Sequence, residues 1–347
     1  MIKINKNIIF DHKRPPLIIA EISGNHGGNK KRFMKLIDTA YSYGADLVKI
    51  QTYEPKDITL NKKDNFFKIK SGIWKNKYLW DLYKSAYTPF NWHKDAFELA
   101  KKHKKILFSS PFSIRAVDLL EDLDCKLYKI ASFEITDLKL VNYIASKKKP
   151  IIISTGMASI KEIKSALKEI RKYHNKIIIL HCVSSYPTKL EDINLQRVNK
   201  LKNEFNSNQI GLSDHTNDII SSLLSLPYGV VAIEKHFKIN NKFRTPDSTF
   251  SITPDQLFKL KKDSNAIYKS LKKKNNNSEK ISIKLRRSIF AKENIEKNTI
   301  LTRKNIETFR PLVGICASKY FEILGKKVNK KIKKGEPIFS KFLRKKL

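Results

Sequence analysis

The stretch VVAIEKHF, residues 230–237, decides the fold. Val230, Val231, Ala232 and Ile233 form a continuous apolar run, as in a strand buried on both faces. Glu234, Lys235 and His236 then put three ionisable groups in a row at its end. Charge at the end of a core strand needs an opening to face, and a parallel barrel has one at the C-terminal ends of its strands.

Seven runs of the same kind precede it: PLIIAEIS (16–23), DLVKIQT (46–52), KILFSSP (105–111), LYKIAS (127–132), PIIISTG (150–156), KIIILHCVSSYP (176–187) and QIGLSDHT (209–216). Amphipathic segments such as KRFMKLIDTAYSYG and SIKEIKSALKEIRKY lie between them, with apolar residues three and four apart. Eight strands with interleaved helices predict a TIM (β/α)8 barrel over residues 1–274. A doubly wound open sheet fits less well, because the first turn, SGNHGGN, lacks the GxGxxG pattern. A helix over 254–271 closes this domain. The polar segment that follows, assigned to 275–283, reads as a linker, and 284–347 reads as a second, small domain of short strands and turns.

Composition narrows the class. The 347 residues are 41% hydrophobic and 30% charged, with 11 glycines and 12 prolines, which excludes a disordered or fibrous chain. The net charge of +37 is carried mostly by lysines spread along the chain, and they form no basic helix with interleaved aromatics. Nucleic acid is therefore not expected as a partner; a basic nucleic-acid or anionic-surface binder on a barrel scaffold is the reading from a different class. Cys125, Cys182 and Cys316 are too far apart and too few for a disulfide framework, which fits a reducing cytoplasm. No run approaches the ~18 apolar residues of a membrane span, so no membrane partner is expected.

Read for what ends each strand, the runs give Glu21 and Ser23; Lys49, Gln51 and Thr52; Ser109 and Ser110; Lys129 and Ser132; Ser154, Thr155 and Gly156; Ser184, Ser185 and Tyr186; Ser213, Asp214 and His215; and Glu234, Lys235 and His236. Eight polar strand ends converging on one face predict a site. His215 and His236 end adjacent strands, where parallel pairing brings equivalent positions within ~5 Å, a spacing that suits two neutral imidazoles on one divalent metal. Two nitrogens leave positions open, so such an ion would act as a Lewis acid and not as a structural clamp. Lys49 and Lys129, among serine hydroxyls, suit an oxyanion such as phosphate or carboxylate. Schiff-base chemistry at either lysine is the alternative; it requires a desolvated amine and is less favoured among so many polar neighbours. Glu21, Glu134 and Glu234 remain as acids, bases or hydroxyl contacts, and spacing does not rank them. By alternation Lys235 points away from the lumen.

The pieces IIAEISGNHGG, GADLVKIQTY, LFSSPF, YKIASFEITDL, PIIISTGMA, SSYPT, IGLSDHT and AIEKHF resemble the bacterial sialic acid synthase family, and the likeness spans nearly the whole chain. SIFAKENIEKNTILT, RPLVGI and LGKKVNKKIKKGEPI resemble the antifreeze-like (SAF) domain that follows the barrel in that family. The insert at 69–97, FEITDL, the Ser184-Ser185 pair and PDSTFS are similar to the branch that makes pseudaminic acid, although Arg244-Thr245 stand where that branch usually has glycines. N-acetylneuraminate or legionaminate formation is the alternative within the family.

The resemblance implies that phosphoenolpyruvate condenses with a 2,4-diacetamido-2,4,6-trideoxy sugar and that phosphate leaves by C–O cleavage. It implies a metal pair at His215 and His236, holding Mn2+ or, alternatively, Mg2+ or Co2+. Lys49, Lys129, Ser110, Ser132, Ser154, Ser184 and Ser213 would hold phosphoenolpyruvate, and Gln51, Tyr186, Glu134 and Asp247 would face the sugar. Glu21 and Glu234 would sit near the reacting carbons. Arg310 would enter the barrel of the partner subunit in a domain-swapped homodimer.

Overall fold

The computed structural model describes residues 1–207, 209–272 and 277–344. It divides into two compact units, Met1–Lys272 and Lys273–Leu347. In the first, eight parallel strands close into the expected barrel: β1 (Leu17–Glu21), β2 (Leu47–Thr52), β3 (Ile106–Pro111), β4 (Tyr128–Ile130), β5 (Ile151–Ser154), β6 (Ile177–Cys182), β7 (Ile210–Asp214) and β8 (Ala232–His236). The strand of VVAIEKHF, β8, closes the ring between β1 and β7. A short hairpin, Ile2–Lys3 against Ile9–Phe10, precedes β1 and buries Phe10 in the barrel's apolar core.

The outer helices start where local chemistry permits. Asn29 caps Lys30–Ser42 by accepting from the Arg32 N–H. Ser159 and Glu162 form a reciprocal capping box on Ile160–Arg171, and Thr253 and Gln256 form another on Pro254–Leu271, whose Pro254 occupies the first turn. Each helix then buries one stripe on the strands, such as Ile163, Ala166, Leu167 and Ile170. Inside the ring the backbones crowd: a Cβ on Gly211 of β7 would meet the Ala232 carbonyl and Leu180 Cδ2, each at 2.6 Å, so only glycine fits there.

Register decides which strand-end residues share the lumen. Glu21 pairs with Lys49 and His236, Gln51 with Ser110, and Glu234 with Ser213. The residues one step out of phase point the other way, so the expected convergence of every polar strand end holds only for alternate positions. Thr52 Oγ1 lies 2.6 Å from Ser109 Oγ and 2.9 Å from His93 Nε2, on the helix His93–Lys102. Asp214 and Lys235 face Ser221 and Ser222 of the helix Ile220–Leu224. Lys235 thus points away from the lumen as alternation predicts, yet it pairs with Asp214 and Thr216 and is 0% exposed.

The second unit pairs β9 (Ser288–Ala291) antiparallel with β10 (Ile306–Phe309) over a small core that includes Ile289, Ile295, Leu301, Val328 and Ile332. The segment expected as a linker, 275–283, carries a short helix. Residues 275 and 276 lie outside the described ones, and Asn277–Ile283 is a helix. Ile281 and Ile283 are exposed, so this helix buries no apolar stripe and leaves no periodic signature in the sequence.

Candidate active site

The lumen at the strand ends is built around one carboxylate. Glu234 Oε1 lies 2.9 Å from Lys49 Nζ and 3.5 Å from Lys129 Nζ, and it accepts from Ser213 Oγ at 3.1 Å. Lys49 Nζ also lies 3.1 Å from Glu21 Oε2, and the Ser23 N–H donates to Glu21 Oε1 at 2.9 Å. All four charged groups are buried: Lys49 is 4% and Lys129 2% exposed.

Burial and charge set their protonation. Burial pushes Glu21 up to about 7 against the pull of Lys49. Burial opposes ionisation of Glu234 too, but Lys129 and Lys49 outweigh it and hold the group well below the usual carboxylate range. Burial depresses Lys129 to about 8, with Glu234 acting the other way. Lys49, flanked by both carboxylates, is raised although burial opposes its charge. One ammonium is therefore firmly charged and the other is close to titrating.

Hydroxyls surround this centre. Ser132 Oγ accepts from the Gly156 N–H at 3.1 Å, and a Cβ on Gly156 would sit 2.0 Å from Ser184 Oγ. Ser110 Oγ, Ser154 Oγ, Glu134 Oε2 and Glu234 Oε2 are buried without a hydrogen-bond partner among the described residues. An unsatisfied buried polar atom costs roughly 1–3 kcal/mol, a cost that a bound polar ligand offsets. Burial also raises Glu134 to about 7. It ends the 3-10 turn Ser132–Glu134 that follows β4.

Beside the charged centre stand the two imidazoles, their ring centroids 5.3 Å apart. His215 Nδ1–H donates to the Val183 carbonyl at 2.9 Å, and Ser23 Oγ lies 3.1 Å from His236 Nδ1. Neither Nε2 takes part in a hydrogen bond among the described residues, so each ring has one nitrogen held and one free. Burial, then His215 and Lys49, keeps His236 neutral well below the usual histidine range. Burial opposes charge on His215 as well, but the Cys182 sulfur 3.8 Å from Nδ1 raises it. Among the described residues no cluster of three or more His, Cys, Asp or Glu is set to hold a metal. The unengaged Nε2 of each ring is the nitrogen these two residues could offer an ion, whose other positions would be left to ligands.

Aromatic rings wall this side. Tyr186 lies 4.4 Å from the His215 ring, Phe250 packs edge-on to His236 at 4.8 Å, and Trp74 reaches Tyr186 at 5.5 Å. Trp74 belongs to the insert after β2 and donates its indole N–H to the Pro246 carbonyl at 3.1 Å, which ties that insert to the loop after β8. Asp247, on the same loop, accepts from the Gly24 N–H at 3.0 Å, and burial raises its carboxyl.

The structure therefore gathers Glu21, Lys49, Lys129, Ser213, His215, Glu234 and His236 into one connected group, with Ser132, Ser154, Ser184, Tyr186 and Asp247 on neighbouring strand ends and loops. Gln51 is half-buried opposite Ser110 in β3. Arg310 belongs to the second unit, exposed just past β10. Sequence reading passed over Cys182, Trp74 and Phe250. The phase of β6 is a usable signal for the first, since Leu180 and Cys182 alternate with the outward His181, which bonds the Ile193 carbonyl at 2.6 Å. Sequence carries no comparable signal for Trp74, which reaches the mouth through an irregular loop.

A closed parallel barrel whose ionisable groups meet at the C-terminal ends of its strands has the build of a barrel enzyme. A family model described as NeuB family matches residues 36–276 and a SAF domain model matches 286–344, and the chain belongs to the NeuB family. It is 40% identical to a pseudaminic acid synthase of Helicobacter pylori over 94% of this chain and 97% of that one. It is 37% identical to an N,N'-diacetyllegionaminic acid synthase of Campylobacter jejuni over 93% of this chain and 98% of that one. A crystal structure of N-acetylneuraminic acid (sialic acid) synthetase from Leptospira borgpetersenii in complex with citrate matches with a TM-score of 0.70 and 30% identity, over 78% of this chain and 91% of that one.

Proposed function

We propose that the chain condenses phosphoenolpyruvate with 2,4-diacetamido-2,4,6-trideoxy-β-L-altropyranose to give pseudaminic acid and phosphate, the activity of a pseudaminic acid synthase. The observation that carries this reading is the likeness to the pseudaminic acid synthase of Helicobacter pylori along almost the whole of both chains. The charged lumen supplies the chemistry it needs.

Lys49 and Lys129 pair with the anionic groups of phosphoenolpyruvate, and Ser110, Ser132, Ser154, Ser184 and Ser213 donate to its oxygens. Gly156, lacking a Cβ, lets the ligand approach the backbone beside Ser132 and Ser184. Glu234 remains ionised and keeps both ammonium groups directed into the lumen. Gln51, Glu134, Tyr186 and Asp247 hold the open-chain sugar so that its aldehyde carbon meets C3 of the enolpyruvate, a positioning effect of several kcal/mol. When bound by His215 and His236, a divalent ion (Mn2+, with Mg2+ or Co2+ as alternatives) supplies Lewis-acid polarisation of the aldehyde oxygen. C3 of the enolpyruvate bonds to the aldehyde carbon, water adds at the electron-poor C2 so formed, and the tetrahedral centre collapses to the C2 ketone as the C2–O bond breaks and phosphate leaves with the second proton of that water. Glu21, poised at about 7, takes the proton released by that water and passes it to the new hydroxyl.

Arg310 contacts the sugar from the partner subunit of a domain-exchanged homodimer. Three free cysteines fit a cytoplasmic enzyme. No helix among the described residues is long and apolar enough to cross a membrane.

A second reading has support of its own: the legionaminic acid synthase of Campylobacter jejuni is 37% identical, and a few side chains decide sugar choice. The purified protein incubated with phosphoenolpyruvate, Mn2+ and each candidate sugar separates the two. Phosphate release with the altropyranose is expected, and release only with N-acetylmannosamine or the legionaminate precursor would sink the first reading.

A further inference from the structure

Behind the two histidines lies a second buried charge pair that the chemistry above does not use. Asp214 immediately precedes His215, and Lys235 immediately precedes His236. Both are 0% exposed, lie opposite each other in the β7–β8 register, and form an ion pair of 3.0 Å on the outer face of the barrel. Ser221 Oγ and Ser222 Oγ donate to Asp214 Oδ2 at 2.7 and 2.5 Å, and the Thr216 N–H donates to Oδ1 at 2.9 Å. Lys235 Nζ donates to the Thr216 carbonyl at 2.6 Å and lies 3.1 Å from Thr216 Oγ1.

We propose that Asp214 and Lys235 are positioning residues that set the separation and orientation of His215 and His236, and so the site's affinity for a divalent metal. This rests on the reading of the two histidines as metal-holding residues.

Three facts support it. A buried ion pair is seldom the most stabilising solution, since apolar side chains of similar volume do as well or better, so its use points to specificity of arrangement. The arrangement it specifies is local: strand side chains alternate, and a one-residue slip of β8 against β7 would turn His236 away from the lumen while His215 stayed in it. The pair also holds the backbone on the far side of His215, because Lys235 on β8 grips the carbonyl of Thr216 on the chain leaving β7. His215 is thereby bracketed by Asp214 and Thr216, both tied to the residue that precedes His236.

The test separates positioning from stability. In Asp214→Leu/Lys235→Met the charges go together, no buried charge is left alone, and the barrel is expected to stay folded. Titration of the full chain with Mn2+, read by the loss of free-ion signal in electron paramagnetic resonance, should show affinity lowered about tenfold or more. NMR of labelled histidine rings in the metal-free variant should show His215 and His236 displaced while His26 and His93, elsewhere in the barrel, keep their wild-type signals. Wild-type Mn2+ affinity in the folded double variant overturns the proposal, as do unmoved His215 and His236 signals. If the wild type itself binds no Mn2+, the metal reading fails, and the ring signals still decide whether the pair positions the histidines. Lys235→Met alone, which strands Asp214, should lose far more thermal stability than the double variant; equal losses would count against the pair acting as a unit.

Discussion

Strand β8 carries two buried charge networks one residue apart, and they are built to opposite specifications. On the lumen side Glu234 joins Lys49, Lys129 and Ser213 while its Oε2 has no hydrogen-bond partner, and Ser110, Ser154 and Glu134 nearby also have unsatisfied atoms. On the outer side Lys235 joins Asp214, Thr216, Ser221 and Ser222, and none of these side chains is left unsatisfied among the described residues. The outer network is complete without a ligand, and the inner one is not. Buried polar groups that satisfy one another serve as a frame, whereas those left over mark where a substrate completes the set.

The contrast can be broken most sharply at the lumen. His236→Ala should lower kcat by about 10³-fold or more through the loss of several kcal/mol of metal-assisted stabilisation, with the melting temperature little changed. Steady-state phosphate release with wild-type rates would remove the histidine pair from the chemistry. Next in size, Lys235→Met should cost about 3–5 kcal/mol in urea denaturation, because it strands a buried carboxylate. A loss under about 1 kcal/mol would mean that the outer network is no frame.

The pH dependence sharpens the inner side. Lys129, depressed to about 8 by burial, is cationic below that pH and neutral above it. Since kcat/KM reports groups of the free enzyme, kcat/KM for phosphoenolpyruvate should fall as pH rises through about 8. Lys129→Arg should move that limb upward, and a limb unmoved by the substitution would assign it to another group. A smaller effect is expected from Arg310→Ala, which should raise the KM for the sugar about tenfold while that for phosphoenolpyruvate changes little. Smallest of all, Lys259→Ala, which removes an exposed partner of Asp263, should change stability by no more than about 0.5 kcal/mol.

Much of this was legible in the sequence because β/α alternation leaves a strong signature. Each apolar run became a strand, and the end of VVAIEKHF did mark the mouth. The placement of Glu21, Lys49, Lys129, His215, Glu234 and His236 at one mouth was readable because all six belong to strand ends or the residue just beyond. What stayed hidden depended on phase or on irregular chain. Thr52, Ser109 and Asp214 stood among the polar strand ends, and register turns them outward, away from the lumen, as alternation already did for Lys235. Phe250 reaches the histidines, and Trp74 reaches Tyr186 and Phe250, from segments whose path no periodicity encodes. The helix Asn277–Ile283 was read as a linker because it buries no stripe.

The division between an open inner network and a closed outer one is tested most directly by calorimetric titration of phosphoenolpyruvate into two variants, Lys129→Met and Asp214→Leu/Lys235→Met. The account predicts that the first loses phosphoenolpyruvate affinity by about tenfold or more, as expected for a charge-assisted contact, while the second binds it as the wild type does. Unchanged affinity in Lys129→Met, or an equal loss in the double variant, would contradict it.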